Sequence, residues 1–285
     1  MTIIHSGDHL LGREDSDAAK IVEDAFIREG VQLILSSRPK RISRTDEGKK
    51  IILYGKGGME EGLTVDEILL GVGRAPNVEG LDLETAGVRY DSKNGVTVND
   101  RLRTTNPRIY AAGDVCLQYK FTHTADATAR IVIQNALFLG RRKLSTLTIP
   151  WTTYTDPEVA HVGMYESDAS QRGIEVDTFV RPFSEVDRAV LDGEEEGFVK
   201  IHMKRGSDKI LGATIVARHA GEMISEISLA MVNGLGLKAI ANVIHPYPTQ
   251  AEAIKQITDI YNRTRLTPFI KRIFSLWLKL GRKGN

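Results

Sequence analysis

The chain has 285 residues, 41% hydrophobic and 26% charged, with a formal net charge of +1. That is an ordinary soluble composition, long enough for roughly two domains, and it carries no charge excess that would mark a nucleic-acid partner. A single cysteine, Cys116, excludes an intrachain disulfide and a cysteine-built metal cluster, so no metal is expected.

No apolar run approaches the roughly 18 residues of a membrane span. The start, Met1-Thr2-Ile3-Ile4-His5, has neither the basic region nor the apolar core of a secretory signal. A reducing, cytoplasmic setting is the expectation. Thr2-Ile3-Ile4 reads as a short buried strand. From about Asp15 to Gly30 the residues Ala18, Ile21, Val22 and Phe26 fall at helical spacing, and Gly30 can stop the helix. Val31 to Ser36 is the next apolar strand. Alternating segments at Pro39–Ser43 and Lys50–Leu53 follow, with Gly55-Lys56-Gly57-Gly58 as the turn. Leu63 to Leu70 then returns into Gly71-Val72-Gly73-Arg74-Ala75-Pro76-Asn77. The order is strand, helix, strand, meander and return strand. No G-x-G-x-x-G occurs in the sequence, and the nearest candidate, Gly55-x-Gly57, has Glu60 at the third position.

Thr104 to Val115 reads as a turn, a short apolar strand and a Gly113-Asp114 pair where the strand ends. Gly113 would let backbone approach a ligand closely, and Asp114 would sit at the carboxyl end of a strand, where open α/β sheets bind ligands. A plain Asp-containing turn is the competing reading. Phe121-Thr122-His123-Thr124-Ala125 opens a helix to about Leu139. Thr122 or Thr124 is its predicted cap, and Ala125, Ala129, Val132, Ile133 and Ala136 its apolar face. From Ile149 onward the pattern predicts an antiparallel sheet with helices on one side. Its strands are expected near 179–183, 198–203 and 210–216, with a helix over 221–233. Thr249-x-x-Glu252 reads as a capping box ahead of Ile254 and Ile257. Beyond Arg263 the residues Leu266, Phe269, Ile270, Ile273, Trp277 and Leu280 recur at helical spacing. Arg263, Arg265, Lys271, Arg272, Lys279, Arg282 and Lys283 accompany them without an acid. Such a tail suits either an interfacial helix on anionic lipid or a helix packed on the protein itself.

Three of these stretches together carry a resemblance. Thr104–Val115 resembles the second flavin-binding motif of the FAD-dependent pyridine nucleotide-disulfide oxidoreductases. Gly73-Arg74-Ala75-Pro76-Asn77 is similar to that family's G-R-x-P-N segment, and Thr155-Asp156-Pro157-Glu158-Val159-Ala160 to the opening of its interface domain. The resemblance covers about residues 1–262. It implies an α/β plus α+β chain: a partial Rossmann-like NAD(P)-binding region (1–77), the later part of an FAD-binding domain (78–147), a dimerisation domain (148–262) and a basic tail (263–285).

The resemblance also implies site residues. Asp114 would bind the ribityl chain of FAD, with Gly113, Gly73, Arg74 and His123 as the other cofactor-binding positions; His123 also has a local hydrogen-bonding reading. His245-Pro246-Tyr247-Pro248-Thr249-Gln250-Ala251-Glu252 corresponds to the active-site loop given to the partner subunit of a homodimer. Members acting on disulfides carry histidine immediately before Pro-Thr. Here that residue is Tyr247, followed by Glu252, and these are the catalytic candidates. Tyrosine there leans to the mercuric-reductase-like branch. A phenol with a reference pKa near 10 is a poor base at neutral pH. Hydride would pass from NAD(P)H to FAD and electrons on to a thiol or metal-thiolate acceptor. The place near His5-Ser6 is not acidic, which favours NADPH. The family's pair of redox cysteines and its glycine-rich motifs are missing, so the expectation is a carboxy-terminal portion inactive alone, with Cys116 a structural thiol. The alternative is a non-catalytic dimerisation or interaction module, membrane-associated through its tail.

Overall fold

A computed structural model describes the backbone of residues 1–56 and 59–281. Gly57 and Gly58 of the predicted turn lie outside the described residues, as do Arg282, Lys283 and the side chains of Lys279 and Leu280 in the tail. The chain forms two compact units, residues 1–64 with 150–285 and residues 65–149.

The first unit opens with β1 (Thr2–Ile4), α1 (Ser16–Arg28) and β2 (Gln32–Ile34). β1 and β2 pair in parallel, with Ile3 opposite Leu33. Parallel neighbours need a long crossover, and α1 supplies it. Ala18, Ala19, Val22 and Ala25 form its buried face. Gly30, at φ 81°, turns the chain so that the Val31 N–H donates to Phe26 O. β3 (Arg38–Arg44), β4 (Lys50–Lys56) and β5 (Met59–Val65) follow as one sheet in that order.

The second unit departs from expectation in three places. The return strand expected at Leu63–Leu70 ends with β5 at Val65: residues 66–78 hold no strand, and Leu69, Leu70 and Val72 are exposed. A strand persists only beside a partner that completes its ladder, and no described strand pairs with this segment. The hairpin of β6 (Tyr90–Asp91) and β7 (Gly95–Val96) is present. The apolar strand ahead of Asp114 shrinks to one bridge, Arg103 to Tyr110. Its Ile109 and Ala111 nevertheless pack on Val78, Val88 and Val96.

The helix after it, α2 (Thr122–Leu137), also differs. Its buried residues are Thr124, Thr128, Ile131 and Asn135, whereas Ile133 and Ala136 of the predicted apolar face are exposed. Polar anchoring decides the rotation. The Gly113 N–H donates to Thr128 Oγ1 (3.2 Å), and Asn135 bonds the backbone of Arg101 and Arg142. Neither Thr122 nor Thr124 caps the helix.

The first unit resumes with β8 (Pro150–Thr153), β9 (Glu158–Gly163), α3 (Glu166–Gln171), β10 (Val176–Pro182), α4 (Asp187–Asp192), β11 (Phe198–Lys204) and β12 (Ile210–Ala217). α5 (Ala220–Val232), α6 (Leu237–Ala241), α7 (Glu252–Thr264) and α8 (Pro268–Gly281) complete it. The strands form an antiparallel sheet in the order β10-β11-β12-β9-β8. Val199, Ile201, Met203, Ala213 and Ile215 point to one face, where Ile224, Ile227, Ile254 and Ile257 of α5 and α7 close the main core. The expectation of helices on one side is too simple. Ala18 and Val22 of α1 pack on Val159, Phe198 and Val216 of the opposite face. Both faces are therefore covered, which is why β11 and β12 are buried almost throughout.

Candidate functional site

Asp114 sits in a short 3-10 turn, Gly113–Val115. Gly113 has φ 75°, and a Cβ there would stand 3.1 Å from Ala125 Cβ of α2, so the turn and the helix meet through a position only glycine suits. Gly95 holds the turn from the other side, because any Cβ on it would overlap the Val115 carbonyl. The structure brings Arg74 to Asp114, Nη1 to Oδ2 3.1 Å. Arg74 also donates to Lys120 O, and Lys120 Nζ donates back to Arg74 O at 2.6 Å. Gly73, one residue before, adopts φ 93° in open space, so its role is conformational. The Arg74–Asp114 pair is half exposed on both sides, and such pairs contribute little to stability.

The amino end of α2 stands beside this turn. His123 is exposed there and stacks on Phe121, centroids 5.2 Å apart. Thr124 Oγ1 is buried and has no hydrogen-bond partner among the described residues. An unpaired buried hydroxyl costs about 1–3 kcal/mol. Together with an exchangeable carboxylate and a helix amino end, it fits a polar, hydroxyl-bearing ligand such as the ribityl portion of a flavin. Cys116, two residues past Asp114, is a different case. It is partly buried, its Sγ lies 3.6 Å from Gly113 O, and burial pushes its thiol up to about 11. That is the environment of an inert thiol.

The loop before α7 forms a second candidate region. Tyr247 is 69% exposed, and its hydroxyl donates to Asp187 Oδ2 of α4 at 2.7 Å. That hydrogen bond, with the carboxylate charge, raises the phenol above its ordinary value. His245 points elsewhere, as its position predicts: Nε2 lies 3.0 and 3.2 Å from the two Glu226 carboxylate oxygens of α5. The capping box at Glu252 is not realised. Thr249 Oγ1 donates to Pro246 O, and no side chain caps α7. The Thr249 side chain turns back to Pro246, and only its backbone carbonyl accepts from the first helical N–H, that of Glu252. Glu252 hydrogen-bonds no side chain among the described residues, although its charge reaches Tyr247. Beside the loop lies a 540 Å³ cleft lined by Arg188, Glu194, Arg218, His219 and Gln250. Glu194 takes hydrogen bonds from Arg218 and Gln250, and Arg218 holds it below the usual carboxylate range.

A buried polar network escapes the sequence reading. Glu14 accepts from Trp151 Nε1 (2.8 Å) and Tyr165 Oη (2.5 Å). His161 is fully buried, stacks on Tyr165 at 3.7 Å and bonds Thr214 Oγ1 at 2.8 Å. Lys200 reaches Asp15 (2.9 Å) and Asp17 (2.6 Å), and His202 bonds Thr178. Lys200 and His202 alternate with Val199, Ile201 and Met203, a pattern that normally marks a solvent face. The signal that was available is Asp15 and Asp17 at the start of α1, which supply the countercharge.

The described residues hold a parallel strand pair with its crossover helix, a glycine-aspartate turn against a helix amino end, and a helix-backed antiparallel sheet. The pyridine nucleotide-disulphide oxidoreductase family matches residues 1–129, and its dimerisation domain matches residues 149–258. The chain belongs to the class I pyridine nucleotide-disulphide oxidoreductases. It is 34% identical to mercuric reductase of Staphylococcus aureus over 90% of this chain and 46% of that protein. It is 32% identical to dihydrolipoyl dehydrogenase of Thermus scotoductus over 92% and 57%. Among solved structures it is similar to LpdA from Mycobacterium tuberculosis, with TM-score 0.84 and 30% identity, covering 91% of this chain and 56% of that one. It is also similar to the Cu(II) complex of the HOCl-induced flavoprotein disulfide reductase RclA from Escherichia coli, with TM-score 0.82 and 26% identity over 91% and 58%. The chain spans about half the length of the curated relatives it matches.

Proposed function

We propose that this chain carries the ribityl-binding turn, the return segment and the interface loop of an FAD-dependent NAD(P)H oxidoreductase of the mercuric-reductase-like branch. The observation that carries the reading is Tyr247. A phenol that donates to Asp187 and is shifted upward is a poor proton acceptor, which disfavours a dithiol substrate and favours a metal thiolate. Bound flavin would supply the relay between a two-electron hydride donor and the acceptor. Asp114 would accept the ribityl hydroxyls in exchange for Arg74, while Gly113, Gly73 and His123 shape the rim. Tyr247 and Glu252 would meet the acceptor across a homodimer formed through residues 148–262. The residue after β1 is His5, with no carboxylate to hold ribose hydroxyls, so NADPH is the preferred donor.

Residues 1–285 hold one cysteine, and Cys116 is partly buried beside the turn. We therefore propose that these residues alone bind FAD weakly and reduce no acceptor. The test is to purify residues 1–285, record the visible flavin band and titrate FAD. The expected result is little flavin on isolation and a titration that Asp114→Asn weakens about tenfold to a hundredfold. Stoichiometric flavin with turnover would overturn the inactive reading. A titration unchanged by Asp114→Asn would sink the assignment of that carboxylate. No FAD binding at all by a well-folded dimer would favour a non-catalytic dimerisation module.

A further inference from the structure

The last helix has an apolar face that no buried cluster among the described residues covers. No residue beyond Tyr261 joins a buried cluster among the described residues. Thr267 starts α8, its Oγ1 accepting from the Ile270 N–H, and Pro268 takes the first helical position. Phe269, Ile273 and Trp277 form one row at four-residue spacing, and Ile270, Phe274 and Leu278 form the adjacent row. Of these, Phe269 is 72% and Trp277 67% exposed. Lys271, Arg272 and Ser275 take the other side. At 14 residues α8 is about 21 Å long, too short to cross a bilayer, and no helix among the described residues is long and apolar enough to cross one.

Charge is segregated along the chain in the same place. From Ile260 to Asn285 there are seven Lys and Arg residues and no Asp or Glu. With a net charge of +1 for the whole chain, the preceding 259 residues carry −6. Attraction to an anionic surface therefore resides in the tail, while the body is repelled. A face of Phe, Ile, Leu and Trp flanked by lysine and arginine matches the boundary between headgroups and acyl chains, where tryptophan is favoured. Each basic residue near an anionic leaflet adds to that attraction.

We infer that α8 docks in the plane of an anionic lipid surface, with Phe269, Ile273 and Trp277 in the acyl boundary and Lys271 and Arg272 at the headgroups. The lipid would act as a surface anchor, independent of any cofactor site. The full chain, mixed with phosphatidylcholine vesicles and with vesicles that also contain phosphatidylglycerol, should sediment only with the second. Brominated lipid should quench the Trp277 emission, and added salt should weaken binding. Lys271→Glu with Arg272→Glu should lower affinity roughly tenfold or more, and Trp277→Ser should lower it without changing the melting temperature, since α8 lies outside the core. Equal binding to both vesicle types, or binding unaffected by the charge reversal, would overturn the proposal. So would light scattering in which Trp277→Ser converts a larger assembly to a smaller one without lipid, since the face would then belong to a second copy of the chain.

Discussion

His161 lies at the centre of the buried network, and burial drives its ring from 6.5 down to about 3. The native ring stays neutral while the unfolded chain takes up a proton below pH 6.5. This contribution to stability is complete above pH 6.5 and is lost progressively as pH falls towards about 3. At pH 5 the loss is about 2 kcal/mol. His161→Gln should therefore be less stable than the parent at pH 7 but lose less stability between pH 7 and pH 5, as read by urea unfolding. An equal loss in parent and variant would remove His161 as the cause. Cys116 gives a second check on the same scale. With its thiol pushed up to about 11, a thiol reagent should modify it slowly in the native protein and quickly once unfolded. Fast native labelling would contradict the inert reading.

At the scale of elements, α1 is clamped to the sheet by polar groups as well as by Ala18 and Val22. Glu14 takes two hydrogen bonds, from Tyr165 and Trp151, that would otherwise be unmade in a buried site. Glu14→Ala should cost about 2–5 kcal/mol, because both donors lose their acceptor. Glu14→Gln keeps an acceptor and removes a desolvated charge, so it should stay within about 1 kcal/mol of the parent. Burial raises the Glu14 carboxyl above its ordinary value, so acid favours the native state through this group, opposite in sign to His161. Comparing the two variants by urea unfolding at pH 7 separates loss of the acceptor from loss of the charge. Equal destabilisation by both would show that the carboxylate charge itself is required.

For the whole molecule, the dimerisation-domain match points to a homodimer. The region matched as a dimerisation domain exposes Leu229 and Val232 on α5 and Val243, Ile244 and Tyr247 in the loop between α6 and α7. Exposed apolar side chains in a domain of this kind are the first candidates for an interaction surface. Leu229→Asp with Ile244→Asp should turn a dimer into a monomer by light scattering while leaving the melting temperature of the unit's core largely intact. A variant that remains dimeric would move the interface elsewhere.

The sequence alone determined most local elements, because period and punctuation are local properties. Strand β1, α1 with its Gly30 stop, the antiparallel sheet and α8 all follow from spacing. The Gly113-Asp114 turn and the Tyr247 substitution were legible because each rests on a contiguous motif. What needed the tertiary structure was everything fixed by a distant partner. The return strand expected at Leu63–Leu70 stops where β5 ends at Val65, and the apolar strand ahead of Asp114 is reduced to one bridge, for want of neighbouring ladders. α2 buries a threonine face because Gly113 and Asn135 bind it there. Arg74 meets Asp114 across forty residues of chain. Lys200 and His202 alternate with apolar residues as on a solvent face, yet both are buried, and Lys200 pairs with Asp15 and Asp17 at the start of α1. A residue's burial is decided by what packs over it, and the sequence around that residue does not contain its cover.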